Sequence, residues 1–331
     1  MWCFSALPIA GLQAREFRAF AVTHFHQLDQ VHSIASFRAA VRAQFARDIA
    51  PKLRDDVPNF VSYPENQTLM AYFVGERGAL GRALLDEAGA VPALASLTGP
   101  YAPQIALYAA RFPGVDAPGQ LLNLALTDTL ARLIGVFAEL SAEYGVYLFV
   151  SSNLAPFERI DGPQAAPFAD PLHFDGHAFV ATEPNVRNRN FVFGPNGELI
   201  TVQDKAYLVP LERERGLGLG LRGIQTVDLP AFDLPFARIA TVISKDAWMI
   251  DVNDRLDQLG AELMLQPEAY GSWGLPAGDL WPPDKLQRGG WWMLQKHPAL
   301  AANVTPMLVG NLGDQVFDGQ SLPCTAWSYR R

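Results

Sequence analysis

The chain has 331 residues, of which 49% are hydrophobic and 18% are charged, and its formal net charge is −8. This composition is that of a globular protein with enough apolar residues for one large domain or two ordinary ones, and it excludes an intrinsically disordered chain. The acidic balance, without a lysine- or arginine-rich cluster in the sequence, argues against a nucleic-acid-binding protein, which needs a basic surface.

Cysteine usage and the first residues of the chain indicate a reducing compartment. The two cysteines, Cys3 and Cys324, lie near opposite ends of the chain, and neither has a companion at the spacing of a zinc site. We therefore expect no disulfide framework and no metal. Residues 1–5 do not resemble a signal peptide, and the longest uncharged stretch, 88–110, is interrupted by prolines and glycines. These features predict a cytoplasmic protein without a membrane span.

Hydrophobic patterning in the first half of the chain predicts strands that alternate with helices. Ser33 or Ser36 can cap a first helix, in which apolar residues recur at a spacing of four from Phe37 to Ile49. Residues 89–118 are rich in proline and glycine and predict an irregular insertion, within a wider insertion or lid at about 67–118. In chain order, the predicted elements are a strand at 16–25, a helix at about 33–53, a strand at 59–63, a helix at 74–88 and a long helix at about 119–144.

The second half of the chain predicts further strands, a hairpin and two more helices. Gly194-Pro195-Asn196-Gly197 separates two apolar runs and is typical of a hairpin turn. Hairpins together with strand–helix alternation indicate an α/β fold with mixed sheets. No repeat or linker divides the sequence, so one domain over 1–331 is expected. The predicted elements are strands at 147–150, 178–182, 190–193 and 237–243, a helix at 251–259, a strand at 262–266, a helix at about 284–296 and strands near 305–312.

Three segments place a reactive residue type at the end of an apolar strand. Sheets commonly present functional side chains at strand ends, so these segments are candidates for one site. They are Phe60-Val61-Ser62-Tyr63-Pro64-Glu65-Asn66, residues 197–212 with Lys205 and Glu212, and residues 239–246 with Ser244-Lys245-Asp246, followed by 260–269 with Glu268.

In this order the segments resemble the nitrilase superfamily of carbon–nitrogen hydrolases, and a fourth match lies at residues 309–321. The resemblance covers roughly residues 16–323. It implies an αββα sandwich of mixed β-sheets flanked by helices, no metal or organic cofactor, and a homodimer or higher homo-oligomer. True nitrilases typically have Cys-Trp-Glu where this chain has Ser244-Lys245-Asp246, so the resemblance implies a small-molecule linear amide as substrate, as in the amidase- and carbamoylase-like branches.

The resemblance also implies roles for individual residues. Glu65 would be the general base, Lys205 would stabilise the tetrahedral oxyanion, and Glu212 would orient or tune the site. The backbone N–H of Lys245 would be a second oxyanion donor, and Glu268 would line the pocket. This set is chemically coherent, because a nucleophile needs an adjacent base and an oxyanion needs a preorganised cation or N–H donor.

Ser244 departs from the family pattern, in which this position is cysteine. A thiol ionises near pH 8.5 and is readily activated, whereas a serine hydroxyl usually depends on a dedicated base such as histidine. No histidine lies near Ser244 in the sequence, so we expect little amidase activity. The serine has two possible origins. The otherwise intact machinery favours an engineered substitution, and the alternative is a natural relative without catalytic function.

Other interpretations of these residues compete with the amidase. The chain is alternatively a nitrilase or carbamoylase, or a nitrilase-like binding or regulatory protein that keeps the pocket. It is an unrelated α/β protein if Glu65, Lys205 and Ser244 lie more than about 8 Å apart, since a base must reach its nucleophile. Glu212 lies in a charge run in which Glu214 is an alternative, and Asp246 is alternatively a helix cap.

Overall fold

The structure is a computed structural model that describes residues 3–5, 16–24, 27–209, 212, 220–223, 231–269 and 289–325. Its strands are, in chain order, β1 (Cys3–Ser5), β2 (Arg18–Ala21), β3 (Asn59–Ser62), β4 (Tyr147–Leu154), β5 (Phe157–Asp161), β6 (His177–Ala181), β7 (Arg187–Phe193), β8 (Leu199–Asp204), β9 (Ala231–Leu234), β10 (Ala237–Thr241), β11 (Leu263–Leu265), β12 (Ala302–Thr305), β13 (Val309–Leu312), β14 (Gln315–Asp318) and β15 (Leu322–Thr325).

The helices lie between these strands. They are α1 (Ile34–Asp48), α2 (Ala79–Ala88), α3 (Ala90–Ser96), α4 (Ala102–Arg111), α5 (Pro118–Ala125), α6 (Thr127–Tyr144), α7 (Ile250–Gln258) and α8 (Gly290–Lys296).

Two large sheets form the centre of the molecule. The first has the strand order β1-β2-β3-β4-β7-β8, and the second has the order β15-β12-β11-β10-β9. The strands β2, β3 and β4 are parallel to one another, as are β10, β11 and β12. The outer pairs of both sheets are antiparallel. Both sheets are therefore mixed, and each has a parallel centre whose strands end at one edge.

The buried apolar side chains form three clusters that correspond to the layers of the fold. One cluster lies between the two sheets and includes Phe60, Phe149 and Ile239. The largest cluster joins the first sheet to helices that include α1 and α6, and the third joins the second sheet to α7 and α8. The layers run helix, sheet, sheet, helix, which confirms the expected αββα sandwich.

The start of α1 shows how local sequence sets an element. The Ser33 hydroxyl accepts the N–H of Ser36 at 3.0 Å, and the Ser36 hydroxyl accepts the N–H of Ser33 at 2.8 Å. This reciprocal pair is a capping box. The helix ends at Asp48, earlier than predicted, and Pro51 follows in a 3₁₀ turn. Proline lacks the N–H that an α-helix would need there.

The prediction of an irregular segment over 89–118 is wrong, because α3 and α4 lie within it. Pro92 and Pro103 both fall in the first turn of a helix, where the missing N–H has no intrahelical partner to lose. Tyr101 and Tyr108 are buried in the largest core cluster, and the Tyr108 hydroxyl accepts the Ala181 N–H at 3.0 Å. Residues of this segment are thus packed into the core, and its assignment as an insertion or lid stays a prediction.

The long helix predicted over 119–144 is broken into α5 and α6, which meet at Leu126 with a bend of 54°. Taken singly, none of the helices in the described ranges has the length and apolar character needed to cross a bilayer. Among the described helices, only α5 and α6 taken together, as a bent pair, have that length and apolar character.

Candidate active site

Glu65 and Lys205 meet at one edge of the first sheet. Glu65 follows β3, and Lys205 directly follows β8. Two antiparallel steps, β4 to β7 and β7 to β8, give β8 the same direction as β3. The ends of these strands therefore lie at the same edge. The Lys205 Nζ donates a hydrogen bond to Glu65 Oε1 at 2.7 Å, and both side chains are buried.

Glu212 and Asn188 complete this network. The Lys205 Nζ donates to both Glu212 carboxylate oxygens, at 3.0 and 2.9 Å. The Asn188 Nδ2 lies 2.8 Å from Glu65 Oε1 and 3.0 Å from Glu212 Oε1. The Asn188 carbonyl also accepts the N–H of Lys205 at 2.8 Å, so one residue of β7 positions all three partners. We call these four residues the lysine network.

The charges of the lysine network do not cancel, since one ammonium faces two carboxylates. Burial lowers the pKa of Lys205, but the charges of Glu65 and Glu212 outweigh burial and raise it above the ordinary value, so the ammonium persists. Burial raises the pKa of Glu65 against the opposing charge of Lys205, and Glu212 raises it further. Glu212 binds the ammonium with both oxygens. Glu65 is therefore the carboxylate better placed to take up a proton.

Ser244 lies at the corresponding edge of the second sheet, three residues after β10 ends at Thr241. It is the first residue of a 3₁₀ helix, Ser244–Trp248, and its φ of 52° is in the left-handed region. Within the described ranges, the only other non-glycine residue with positive φ is Asn66, next to Glu65. Such backbone strain is uncommon and concentrates at functional sites. Both strained residues thus adjoin side chains that the sequence singled out.

Asp246 ties the Ser244 turn to the Lys205 turn. Its buried carboxylate accepts the N–H groups of Ala206 at 3.1 Å and Tyr207 at 2.7 Å. Burial raises the pKa of Asp246 to about 6, against the lowering effect of these backbone hydrogen bonds. The alternative role as a helix cap is not seen, because the residue before α7 is Met249 and α7 begins without a side-chain cap. Asp246 instead fixes the spacing between the two sheets' functional turns.

Lys245 is half-buried, and its side chain is separate from the lysine network. Its Nζ reaches the Leu208 carbonyl at 3.4 Å. The Ser244 N–H is taken by the Pro267 carbonyl at 3.1 Å. The N–H of Lys245 lies in the first turn of the 3₁₀ helix, where N–H groups lack intrahelical acceptors. That position suits the oxyanion donor expected from the sequence.

Glu268 is a further fully buried carboxyl group at the site. The Gln266 Nε2 donates to its Oε1 at 2.5 Å. Burial and then the charge of Glu65 raise the pKa of Glu268 to about 8, whereas hydrogen bonding from Gln266 and Ser244 and the charge of Lys205 lower it. Glu268 therefore interacts with both Ser244 and the lysine network. It joins the two halves of the site.

The structure thus brings the predicted residues to one place, although they are spread over the chain. Glu65, Lys205 and Glu212 are in direct contact, and the Ser244 N–H donates to the carbonyl of Pro267, the residue before Glu268, at 3.1 Å. The alternative glutamate, Glu214, lies outside the described residues. Sequence reasoning missed Asn188, because a buried amide in a strand follows no motif. Within the described ranges, no group of histidine, cysteine, aspartate and glutamate side chains could hold a metal ion.

Comparison with known proteins supports the architecture. No family model matches the chain, and no curated protein matches it in sequence. A carbon–nitrogen hydrolase from Helicobacter pylori G27 is similar in structure, with a TM-score of 0.54 and 13% identity over 93% of this chain and 81% of that chain. An amidase from Nesterenkonia sp. matches at a TM-score of 0.47 and 14% identity, over 97% of this chain and 86% of that chain.

A cysteine-to-serine mutant of the Nesterenkonia AN1 amidase, described as a member of the nitrilase superfamily, also matches. Its TM-score is 0.48 at 13% identity, over 95% of this chain and 84% of that chain. The likeness in fold rests on the Helicobacter protein. The chain therefore has the αββα fold of a nitrilase-like carbon–nitrogen hydrolase.

Proposed function

We propose that this chain is an amidase-type carbon–nitrogen hydrolase that acts on a linear amide, with Ser244 as its attacking group and low activity. The observation that carries the proposal is the buried contact of 2.7 Å between Lys205 and Glu65, whose charges also act on Glu268, a buried residue beside the Ser244 turn. A base, a cation and a hydroxyl group, all buried, are the parts that acyl transfer requires.

The reaction would proceed through an acyl-enzyme. Ser244 Oγ forms a bond to the amide carbon, its proton passes to a carboxylate, and the negative charge develops on the carbonyl oxygen. Lys205 Nζ and the N–H of Lys245 are the candidate donors to that oxygen. The C–N bond breaks when the nitrogen receives a proton, and water deprotonated by Glu65 then hydrolyses the ester. The substrate is a small amide; hydrolysis of a nitrile or a carbamoyl group is the alternative within the same chemistry.

Replacement of Ser244 tests this proposal. We expect Ser244→Cys to hydrolyse simple linear amides faster than the unaltered chain, because a thiol ionises far more readily than a hydroxyl. Ser244→Ala should lose all activity that depends on a nucleophile, a loss of about 10⁶-fold in a serine protease. Ammonia release over a panel of linear amides measures both, and mass spectrometry detects the acyl adduct on the cysteine variant.

The experiment also separates the competing functions. Failure of the unaltered chain and Ser244→Cys to turn over any amide, nitrile or carbamoyl compound would contradict the proposal. If both proteins then still bound an amide in calorimetry, the chain would be a binding or regulatory protein. A homo-oligomer in the cytoplasm remains part of the proposal. Light scattering of the purified protein tests the oligomeric state, and cell fractionation tests the location.

A further inference from the structure

Main-chain hydrogen bonds hold Glu268 beside Ser244. The Ser244 N–H donates to the Pro267 carbonyl at 3.1 Å. On the other side, the Glu268 N–H donates to the Pro306 carbonyl at 3.0 Å, and the Leu308 N–H donates to the Glu268 carbonyl at 3.0 Å. The segment that carries Glu268 is therefore fixed against both the Ser244 turn and the strand connection after β12. Its side chain is positioned by the sheet and not by a free loop.

The side-chain contacts distinguish Glu268 from Glu65. Glu65 Oε1 is already occupied by Lys205 and Asn188, at 2.7 and 2.8 Å. Glu268 directly follows Pro267, whose carbonyl accepts the Ser244 N–H at 3.1 Å, and within the described part of the chain the buried Glu268 Oε2 has no hydrogen-bond partner of good geometry. A fully buried carboxylate oxygen without a partner is costly unless something else binds it. Glu268 is therefore a carboxylate beside the Ser244 turn that has, among the described residues, an oxygen available to accept the hydroxyl proton.

We propose that Glu268 is a catalytic residue of this chain that serves as the proton acceptor for the Ser244 hydroxyl and then returns the proton to the leaving nitrogen. The return of the proton to the leaving nitrogen rests on the proposed amidase function. Acceptance of the proton from Ser244 does not, because it concerns only the reactivity of the serine hydroxyl. A serine at this position then has its own base, which a cysteine would not need.

The proposed step conserves atoms and charge. As Ser244 Oγ bonds to the carbonyl carbon, its proton moves to the Glu268 carboxylate, which becomes neutral, and the carbonyl oxygen becomes an oxyanion. As the carbon–oxygen double bond re-forms and the C–N bond breaks, the proton moves from Glu268 to the nitrogen, which leaves as a neutral amine or ammonia. One group thus acts first as base and then as acid, the role that histidine has in serine proteases.

The charged groups that face Glu268 within the described chain set the pH dependence. Glu65, after β3, disfavours the carboxylate form and Lys205, after β8, favours it. Because burial and Glu65 hold the pKa of Glu268 at about 8, only the carboxylate fraction present below that pH can accept the proton. The rate of Ser244 modification should therefore rise with pH and level off above about 8.

Two backgrounds test the assignment. In the unaltered chain, Glu268→Gln keeps the size of the side chain but removes the base, and we expect a loss of about 10²- to 10⁴-fold in kcat and of the pH dependence. In the Ser244→Cys background, the same change should cost less than about tenfold, because a thiol ionises without strong help. Glu262→Gln is the matched control, since Glu262 accepts the Arg238 N–H at 2.9 Å outside the site and should change neither rate.

A probe that needs no amidase activity separates this inference from the proposed function. A phosphonofluoridate reacts with Ser244 when an Oγ–P bond forms, the P–F bond breaks, fluoride leaves and the proton passes to Glu268. We expect labelling by mass spectrometry to rise to a plateau above about pH 8 and to be lost in Glu268→Gln. Labelling that depends on Glu268 without any amide turnover would uphold the inference and contradict the amidase.

Three outcomes would overturn the assignment of Glu268. They are labelling of Glu268→Gln at the unaltered rate, no labelling of Ser244 at any pH, and an equal loss of activity in the serine and cysteine backgrounds. The last would show a structural role only. Circular dichroism of each variant confirms folding before the rates are compared, and Glu268→Asp should retain part of the labelling rate, because it keeps the carboxylate.

Discussion

The two halves of the candidate site, one on each sheet, are built in different ways. In the lysine network of the first sheet, the Lys205 ammonium donates to both neighbouring carboxylates, and Asn188 supports them at 2.8 and 3.0 Å. On the second sheet, Ser244 has a left-handed backbone, and Glu268 has an oxygen without a partner among the described residues. The side chains of the first half are hydrogen-bonded to one another, although the neighbouring Asn66 also has a positive φ, whereas the second half combines a strained backbone at Ser244 itself with an unpaired carboxylate oxygen among the described residues.

This difference indicates a division of labour. A hydrogen-bonded, buried network keeps its charges fixed and suits the stabilisation of charge in a transition state. Strained and unsatisfied groups are what a reacting centre exposes to a substrate, and the remainder of the structure must stabilise them. The lysine network should therefore contribute strongly to stability, whereas the Ser244 half should cost stability.

The largest effect is expected when the cation is removed from the satisfied half. Lys205→Met leaves two buried carboxyl groups without their ammonium, which should lower the free energy of unfolding by about 3–5 kcal/mol at pH 7 and abolish amide hydrolysis. This loss of stability should shrink at acid pH. Burial holds the pKa of Glu65 above its ordinary value in the folded state, so the folded protein takes up a proton more readily than the unfolded chain as the pH falls.

Urea unfolding at several pH values measures the effect of Lys205→Met. Lys245→Met is the control, because among the described residues the Lys245 ammonium reaches only the Leu208 carbonyl, at 3.4 Å, and should contribute less than about 1 kcal/mol. Equal destabilisation by both variants would remove the distinction between the two halves.

An intermediate effect is expected from the amide that supports both carboxylates. Asn188→Ala removes two hydrogen bonds to carboxylate oxygens and should cost about 1.5–3 kcal/mol. It should also raise the pKa of Glu65 further and so move the pH profile of activity upwards, since the lost hydrogen bond lowers that pKa. Denaturant titration and the pH dependence of kcat/KM report these two results.

Asn190 provides the matched comparison on the same strand. It is fully buried like Asn188, but within the described residues its side-chain amide has no hydrogen-bond partner. Asn190→Ala should therefore cost less than Asn188→Ala and leave the pH profile unchanged. If Asn190→Ala cost more stability than Asn188→Ala, the two asparagines would stabilise the fold through packing and not through the lysine network.

The smallest effect tests the strain in the other half. At a φ of 52°, a residue with a Cβ is disfavoured by about 1 kcal/mol relative to glycine, so Ser244→Gly should be more stable than Ser244→Ala by about that amount. Ser62, at the end of extended strand β3, gives the opposite expectation: Ser62→Gly should be less stable than Ser62→Ala by about 0.5–1 kcal/mol. Thermal or urea unfolding of the four variants compares the two orders.

Local chemistry accounts for most of the elements that could be predicted. The helix cap predicted at Ser33 or Ser36, the buried face of α1 and the turn at Gly194–Gly197 depend on neighbours within a few residues, and the structure confirms them, with Ser33 as the cap. The helices α3 and α4 differ from the prediction, because proline content alone indicates an irregular chain, whereas a proline in the first turn of a helix is compatible with that helix. The break at Leu126 has no comparable local signal, since apolar spacing continues through it.

By itself, the sequence determined which residue types stand at strand ends, and it determined the order of motifs that predicts the αββα fold. Only the tertiary structure decided how those residues meet. The strand directions place Lys205 and Glu65, 140 residues apart, within 2.7 Å. Burial raises the pKa values of Glu65, Glu268 and Asp246, whereas the charges of Glu65 and Glu212 raise the pKa of Lys205 against the effect of burial. The physical reason is that propensity and turn chemistry act over a few residues, whereas desolvation and charge act between side chains that only the folded sheets bring together.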